Sequence, residues 1–236
     1  MNTLYLYVHI KMMLNFIIYI FLVSTYLFSQ SAIGDWEAYL NYSSVNTVST
    51  VDNIIYAGTE TQFFSYNESD NSISSFSKLN GFSDNNISAI KYDPISKILV
   101  LGYQNGNVDL FFQNQVTNIP HIKNANIIGD KTINHVFIKE NLAYLSCSFG
   151  LVKLDIINTE ILDTYYFTYN GVNSEVFGCY VFDNEINDPN DNFLAGKIFV
   201  ATSTGLLFAD ANSPNLINPE TWASNLPVFN NNVLLG

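Results

Sequence analysis

The chain has 236 residues, of which 48% are hydrophobic and 15% aromatic, so it can bury a sizeable core within one β domain. Lys and Arg total 9 against 21 Asp and Glu, which gives a formal net charge of −12. Because phosphate backbones are bound by basic surfaces, this balance excludes a nucleic-acid-binding function. The low charged fraction of 13% indicates a polar, acidic surface of the kind that exported proteins carry.

The first predicted element is an N-terminal signal peptide over residues 1–30. Residues 12–28 are mostly apolar, carry no charge and follow Lys11, and small residues then favour cleavage near Ser29 or Ser31. The alternative is an uncleaved signal anchor, although the run lies near the short end of the roughly 17 to 25 residues that a span needs. Both interpretations predict that the remaining chain is exported.

Four copies of one hairpin pattern organise the rest of the chain. Each copy is an apolar run, a small or polar turn and a second apolar run, and the copies lie at 54–67, 99–112, 143–156 and 198–211. Alignment places Gly106, Gly150 and Gly205 in one column with Gln62, at steps of 44, 44 and 55 residues. Four-stranded propeller blades commonly repeat every 40 to 45 residues or so. We therefore predict an all-β fold, a β-propeller of four-stranded antiparallel blades, with these glycines as turn formers.

In chain order, a lone strand is expected at 35–42, ahead of a partial propeller that fills residues 31–236. The predicted blades cover about 45–80, 81–124, 125–170 and 171–226, with the start of a fifth at 227–236. Strands are expected at 45–51, 54–59, 62–66 and 72–77 in the first blade, at 87–92, 97–103, 107–112 and 115–119 in the second, and at 132–138, 141–147, 150–155 and 160–166 in the third. The fourth blade starts at about Val176.

The longest repeat interval, 55 residues between Gly150 and Gly205, contains an acidic insertion between the first two strands of the fourth blade. Asp183, Glu185 and Asn187 have the alternate spacing of calcium ligands. However, Asp188 stands where a calcium loop needs Gly, and Leu194 stands where it needs a bidentate acid. The sequence therefore favours a solvated loop over a metal site, and no other metal or cofactor site is expected.

Catalytic chemistry is not indicated anywhere in the sequence. Nucleophile-elbow, zinc-binding, P-loop and dinucleotide motifs are missing, so we predict that the chain is not an enzyme. Cys147 and Cys179 are expected to be buried thiols or, alternatively, a disulfide across two blades. His135 aligns by the repeat with Thr47, Lys91 and Cys179 beside the central channel, where a satisfied channel residue is the expected role.

One turn carries a family resemblance. Residues 80–90 read NGFSDNNISAI, and this stretch, with Gly81 and Asp84, resembles the turn of the two-component-regulator-type propeller repeat. The wider phrases at 35–42, 77–84, 103–110 and 143–155 resemble the PorZ N-terminal propeller family of the type IX secretion system of Bacteroidetes. The resemblance covers essentially the whole chain after the signal peptide.

The resemblance implies a non-enzymatic scaffold in the periplasm or at the outer-membrane surface. The family implies partners in the sortase PorU and in PorV and PorQ, and a possible ligand in anionic lipopolysaccharide. It also implies about seven blades, so the chain is expected to be part of a longer protein. The alternative is a sensor propeller of a hybrid two-component system, which would require a transmembrane helix and a kinase after Gly236.

Overall fold

The computed structural model describes residues 2–26, 44–183 and 193–224. Met1–Tyr39 and Leu40–Gly236 form two separate compact units. In the first unit, α1 spans Asn2–Tyr26. None of the helices within the described ranges has both the length and the apolarity that crossing a membrane requires. The expected cleavage positions at Ser29 and Ser31 and the lone strand at 35–42 lie outside the described residues.

The second unit is built of antiparallel sheets that follow one another along the chain. The first three sheets have four strands each, in chain order. The first blade contains β1 (Thr47–Val51), β2 (Ile54–Gly58), β3 (Phe63–Asn67) and β4 (Ser72–Phe76), and the second contains β5 (Ile87–Tyr92), β6 (Leu99–Tyr103), β7 (Val108–Phe112) and β8 (Gln115–Ile119). The third blade contains β9 (Ile133–Lys139), β10 (Leu142–Cys147), β11 (Gly150–Asp155) and β12 (Glu160–Tyr165). A 3-10 helix at Lys78–Asn80 and the short helix α2 (His121–Asn124) lie in the connections. The prediction of a propeller with four-stranded antiparallel blades is confirmed.

The fourth blade differs from the first three. A small hairpin of β13 (Thr168–Tyr169) and β14 (Val172–Asn173) precedes it, and its sheet contains β15 (Val176–Val181), β16 (Lys197–Thr202) and β17 (Gly205–Asp210). In the described part of this blade, a single bridge between Phe208 and Ala223 stands where a fourth strand was expected.

The composition of the segment after β17 disfavours a regular strand in its described part. Pro214 and Pro219 have no amide hydrogen and cannot donate to a strand ladder. Pro219–Thr221 forms a 3-10 helix instead. The buried Trp222 then anchors the segment, because its indole Nε1 donates to the carbonyl oxygen of Leu216 at 2.9 Å.

The hydrophobic core lies between neighbouring blades. The interface of the first two blades is aromatic, and there the fully buried Phe63 stacks on Phe76 with ring centroids 4.6 Å apart. The interface of blades two and three is aliphatic, with Val100 and Leu145 fully buried. Since burying one such side chain contributes about 1.5 to 3 kcal/mol, these interfaces hold successive sheets together.

The first strand of every blade forms the inner edge of its sheet. Along the chain, β1 contacts β5, β5 contacts β9, and β9 contacts β15. We call the exposed surface of these four inner strands the axial surface. Side chains link the inner strands directly: the amide of Ile90 donates to Thr47 Oγ1 at 3.1 Å, and the amide of Tyr92 donates to Ser49 Oγ at 3.0 Å.

A β-bulge recurs at the same place in three inner strands. Register shifts leave Ser88, Asn134 and Phe177 as the extra residues of β5, β9 and β15. Ser88 Oγ donates to the carbonyl oxygen of Ile133 at 2.7 Å, and Asn134 Nδ2 donates to the carbonyl oxygen of Val176 at 2.9 Å. In blades two and three the bulged residue therefore ties its inner strand to the next one.

Candidate functional site

One end of the propeller gathers the turn residues that sequence analysis singled out, namely Gly81, Asp84, Gly106, Gly150 and Gly205. We call it the loop end; it consists of the turns at 59–62, 103–107, 147–150 and 202–205 and the connections at 77–86, 120–132 and 166–175. Hydrogen bonds run from segment to segment across it. The amide of Gln104 donates to Asn86 O at 3.0 Å, Thr132 Oγ1 donates to Gln104 O at 3.1 Å, and Ser148 Oγ donates to Asp130 Oδ2 at 2.9 Å.

The connection between blades one and two is a capped turn. Ser77 and Asn80 cap the 3-10 helix reciprocally, and Gly81 ends it with φ of 95°. Phe82 then turns into the interface, where its ring packs edge-on against Phe63 with centroids 4.8 Å apart. The next two residues, Ser83 and Asp84, are thereby held over the second blade.

Ser83 contacts a buried carboxylate, that of Asp109 in β7, which is 0% exposed. The amide of Ser83 donates to Asp109 Oδ2 at 2.8 Å, and its hydroxyl donates to Oδ1 at 2.7 Å. Tyr103 Oη donates to Oδ2 at 2.7 Å, and Asn118 Nδ2 donates to Oδ1 at 2.9 Å. Burial and the neighbouring Asp109 raise the pKa of Tyr103, which therefore stays a donor. Four donors satisfy this buried charge, as burial requires.

Asp84 joins three segments of the loop end. Its Oδ2 accepts from Asn107 Nδ2 at 2.7 Å and from Lys123 Nζ at 2.8 Å, and Lys78 Nζ lies 3.7 Å from Oδ1. Burial acts to raise the pKa of Asp84, but the hydrogen bonds from Lys123, Asn105 and Asn107 outweigh it and leave that pKa below its ordinary value. Asp84 is thus an ionised structural link.

The three aligned glycines occupy the expected hairpin turns with positive φ, at 80° for Gly106, 155° for Gly150 and 135° for Gly205. A Cβ on Gly106 would lie 2.9 Å from Ile122 Cγ2, and one on Gly150 would collide with the carbonyl oxygen of Tyr165. Gln62, at the equivalent place in the first blade, is buried. At Gly106 and Gly150, both backbone conformation and space require glycine.

The candidate calcium ligands are only partly described. Asp183 is 83% exposed, and its Oδ1 lies 3.1 Å from Lys139 Nζ; Glu185 and Asn187 lie outside the described residues. Within 2–26, 44–183 and 193–224, no cluster of three or more His, Cys, Asp or Glu side chains is arranged to hold a metal ion.

Both cysteines are free thiols buried in different interfaces. Burial raises the pKa of Cys147, with the nearby Cys179 as a smaller cause, and burial raises the pKa of Cys179 to about 12. A reactive thiolate is therefore not favoured at either position. Of the histidines, His121 starts α2 and is exposed, and His135 is exposed on β9.

Strand pairing corrects the expected neighbours of His135. His135 pairs with Ser146, and the equivalent pairs in the other blades are Thr47 with Gly58, Ala89 with Gly102, and Gly178 with Ala201. The repeat arithmetic had placed Lys91 and Cys179 there. For Lys91 it failed because the connection between β5 and β6 spans residues 93–98, where blades one and three use only 52–53 and 140–141.

Sequence reasoning missed Asp109, which accepts two hydrogen bonds from Ser83 of the turn. A signal was present: Asp109 is the only charged residue in the VDLFF segment of β7. An acid inside an apolar strand is rarely buried without specific donors. The bulged residues Ser88 and Asn134 were also missed, because no particular residue type marks a β-bulge in the sequence.

Comparison with known proteins gives one family match. The family model of the type IX secretion system PorZ N-terminal β-propeller domain matches residues 55–223. A search of curated proteins finds no match.

Solved structures share the fold. A structure of PorZ, described as an essential bacterial surface component of the type IX secretion system of Porphyromonas gingivalis, matches with 25% identity and a TM-score of 0.66 over 79% of this chain. The chain spans 23% of the length of that PorZ chain. The extracellular domain of BT4673 from B. thetaiotaomicron, described as a hybrid two component system, matches with 14% identity and a TM-score of 0.57, over 76% of this chain and 22% of that one. The computationally designed Ika4 protein matches with 13% identity and a TM-score of 0.51, over 75% of this chain and 98% of that one.

Proposed function

The chain belongs to the PorZ N-terminal β-propeller family of the type IX secretion system, and on that basis we propose that it is a non-enzymatic scaffold of this system. The family match carries the proposal, because it spans the repeated hairpins of all four blades. The matching PorZ structure is described as a bacterial surface component, which supports a location in the periplasm or at the outer-membrane surface.

The loop end supports a scaffold rather than an enzyme. A catalytic acid or base needs a polar group that can reach a substrate. Asp109 is fully buried beneath four donors, and Asp84 is held by Asn107 and Lys123. The hydrogen-bonding capacity of both acids is thus used to fix loops, which suits a surface that presents a constant shape to other proteins.

The proposed partners are the sortase PorU and the proteins PorV and PorQ, and the proposed ligand is anionic lipopolysaccharide. In this role the protein would support the attachment of sorted cargo to the cell surface. The net charge of −12 favours contact with proteins over contact with free polyanions, because like charges repel. A polyanionic ligand would therefore need a basic patch on the surface.

Deleting the gene in a bacterium that has this secretion system tests the proposal. We expect cargo with a sorting domain to lose its attachment to the cell surface, and a plasmid copy of the gene to restore it. Normal cargo attachment in the deletion strain would contradict the proposed function.

A second candidate is the extracytoplasmic sensor of a hybrid two-component system. The likeness to BT4673 favours it, although at 14% identity that likeness concerns the fold. It predicts that the reading frame continues into a transmembrane helix and a kinase, and that deletion alters transcription while cargo attachment stays normal. Sequencing the continuation and comparing transcripts of the deletion strain would separate the two candidates.

A further inference from the structure

The sequence contains three Asn-Gly pairs, at 80–81, 105–106 and 170–171, and all three lie in turns of the loop end. An Asn-Gly pair can react with itself, because glycine has no Cβ and its amide nitrogen can approach the side-chain carbonyl carbon of the preceding asparagine. The reaction needs a free asparagine side chain, a glycine amide without an acceptor and a backbone that can rearrange. The structure distinguishes the three pairs on these requirements.

The first pair is held in place by the capped 3-10 helix. Asn80 Oδ1 accepts a hydrogen bond from the Ser77 amide at 3.0 Å. The Gly81 amide donates to the carbonyl oxygen of Lys78 at 3.2 Å. Attack within this pair requires both bonds to break, which disfavours the reaction in the folded protein.

The second pair is held by hydrogen bonds and by packing. Asn105 Oδ1 accepts from the Asn107 amide at 3.0 Å, and the Gly106 amide donates to the carbonyl oxygen of Tyr103 at 3.1 Å. Gly106 is also enclosed, since a Cβ there would lie 2.9 Å from Ile122 Cγ2. The backbone of this turn therefore has little room to rearrange.

The third pair differs because neither of its reacting groups is held. Asn170 and Gly171 form the two-residue turn between β13 and β14, with φ of 50° and 79°. Among the described residues, neither the Asn170 side chain nor the Gly171 amide has a hydrogen-bond partner. A Cβ on Gly171 would meet nothing within 4 Å. The amide nitrogen and the side chain that it would attack are thus unobstructed.

The hairpin around this pair can open at little cost. It contains two residue pairs, and the side chains of Tyr169 and Val172 are 63% and 69% exposed. Isolated two-stranded hairpins are marginally stable at best in water. The base of the hairpin is fixed, because the Ser174 amide donates to the carbonyl oxygen of Phe167 at 2.6 Å. The tip can therefore rearrange while the fourth blade stays folded.

We propose that Asn170 is a modification site that converts spontaneously to aspartate and isoaspartate in the folded protein. Hydroxide removes the Gly171 amide proton, and the nitrogen attacks Asn170 Cγ. A bond forms between these two atoms, the Cγ–Nδ2 bond breaks, and Nδ2 takes a proton from water and leaves as ammonia. Water then opens the cyclic succinimide at the side-chain carbonyl, which gives aspartate, or at the main-chain carbonyl, which gives isoaspartate.

Conversion changes the surface of the loop end. Either product adds one negative charge at the hairpin tip, and isoaspartate also lengthens the main chain there by one methylene group. Because β13 and β14 share two residue pairs, this insertion separates them. The site goes beyond the scaffold function and does not depend on it, since no secretion-system partner takes part.

Ageing of the full-length protein tests the site. The folded protein and the protein in urea are incubated at neutral and alkaline pH in heavy-oxygen water, which marks conversions that occur during incubation. Mass spectrometry compares the peptides around the three pairs, and enzymatic methylation detects isoaspartate. In the folded protein, we expect Asn170 to convert at least about tenfold faster than Asn80 and Asn105, whose turns must first break two hydrogen bonds each. In urea the three rates should be similar, and conversion of Asn170 should be faster at alkaline pH.

A glycine variant tests the chemistry separately from the fold. In Gly171→Ala the added Cβ hinders the attacking nitrogen, so conversion of Asn170 should slow in urea as well as in the folded protein, whatever shape the hairpin takes. Gly81→Ala should leave the rate at Asn170 unchanged. Equal rates at the three pairs in the folded protein, the same order of rates persisting in urea, or a rate at Asn170 that Gly171→Ala does not lower would each overturn the proposal.

Discussion

Ser83 and Asp109, which lie 26 residues apart in the chain, are joined by two hydrogen bonds, from the Ser83 amide at 2.8 Å and from its hydroxyl at 2.7 Å. The carboxylate of Asp109 is buried in β7, so the turn between blades one and two is fixed to the middle of the second blade. The turn that carries the family resemblance is therefore part of the structural framework.

Replacing Asp109 tests this framework. Asp109→Asn keeps the side-chain volume but replaces one acceptor oxygen with an amide nitrogen, which leaves two of the four donors unpaired. We expect the free energy of unfolding to fall by about 2 to 3 kcal/mol in urea denaturation. The control is Asp70→Asn, an exposed turn position where the remaining carbonyl oxygen can still accept from Ser72. Equal stability of the two variants would show that the Asp109 network contributes little.

Asp84 should make stability depend on pH in the acid range. Because its folded-state pKa lies below the unfolded value, its contribution is present above about pH 4 and is lost as pH falls through the folded pKa. Asp84→Asn, and Lys123→Ala on the opposite side of the ion pair, should therefore each reduce the loss of thermal stability between pH 7 and pH 3. An acid-induced loss as large as that of the unmodified protein would contradict the role of this pair.

Two glycine variants separate backbone strain from packing. Gly106 and Gly81 have similar φ values of 80° and 95°, but a Cβ on Gly106 would meet Ile122 and Lys131 at 2.9 and 3.0 Å, whereas one on Gly81 would meet nothing within 4 Å. We expect Gly81→Ala to cost about 1 kcal/mol, from strain alone, and Gly106→Ala about 2 to 3 kcal/mol. Chemical denaturation of both variants provides the comparison, and a larger cost at Gly81 would contradict the packing seen at the loop end.

The cysteines should be unreactive in the folded protein. Both thiols are buried, and burial raises the pKa of each. Alkylation followed by peptide mapping should find Cys147 and Cys179 unmodified under native conditions and fully modified in urea without reductant. Rapid alkylation of either cysteine in the native protein would contradict their burial. If the cysteines stayed unmodified in urea and reacted only after a reductant was added, they would form a disulfide.

Strand positions could be predicted because alternation and turn residues are local signals. The second blade has strands at Ile87–Tyr92 and Gln115–Ile119, where they were expected. The repeat interval was a weaker guide, since one longer connection at 93–98 moved Lys91 out of line with His135. The repeat interval is a distance in residues along the chain, whereas strand register is set by hydrogen-bonded pairs. Longer loops and bulges add residues without adding pairs, so the interval and the register differ.

The candidate site was harder to predict because its contacts are long-range. The NGFSDN turn is visible in the sequence, but its anchor Asp109 lies 26 residues further along, on another strand. Such contacts arise only when blades pack together, and single-sequence patterns do not encode them.

The most direct test of the scaffold function is affinity capture of the tagged, chromosomally expressed full-length protein from detergent-solubilised envelopes, followed by quantitative mass spectrometry. We expect the sortase PorU, with PorV and PorQ, to be enriched over an untagged control strain, and the enrichment to be lost in Asp109→Asn if the turn unfolds. Capture without any of these components, from cells that attach cargo normally, would contradict it.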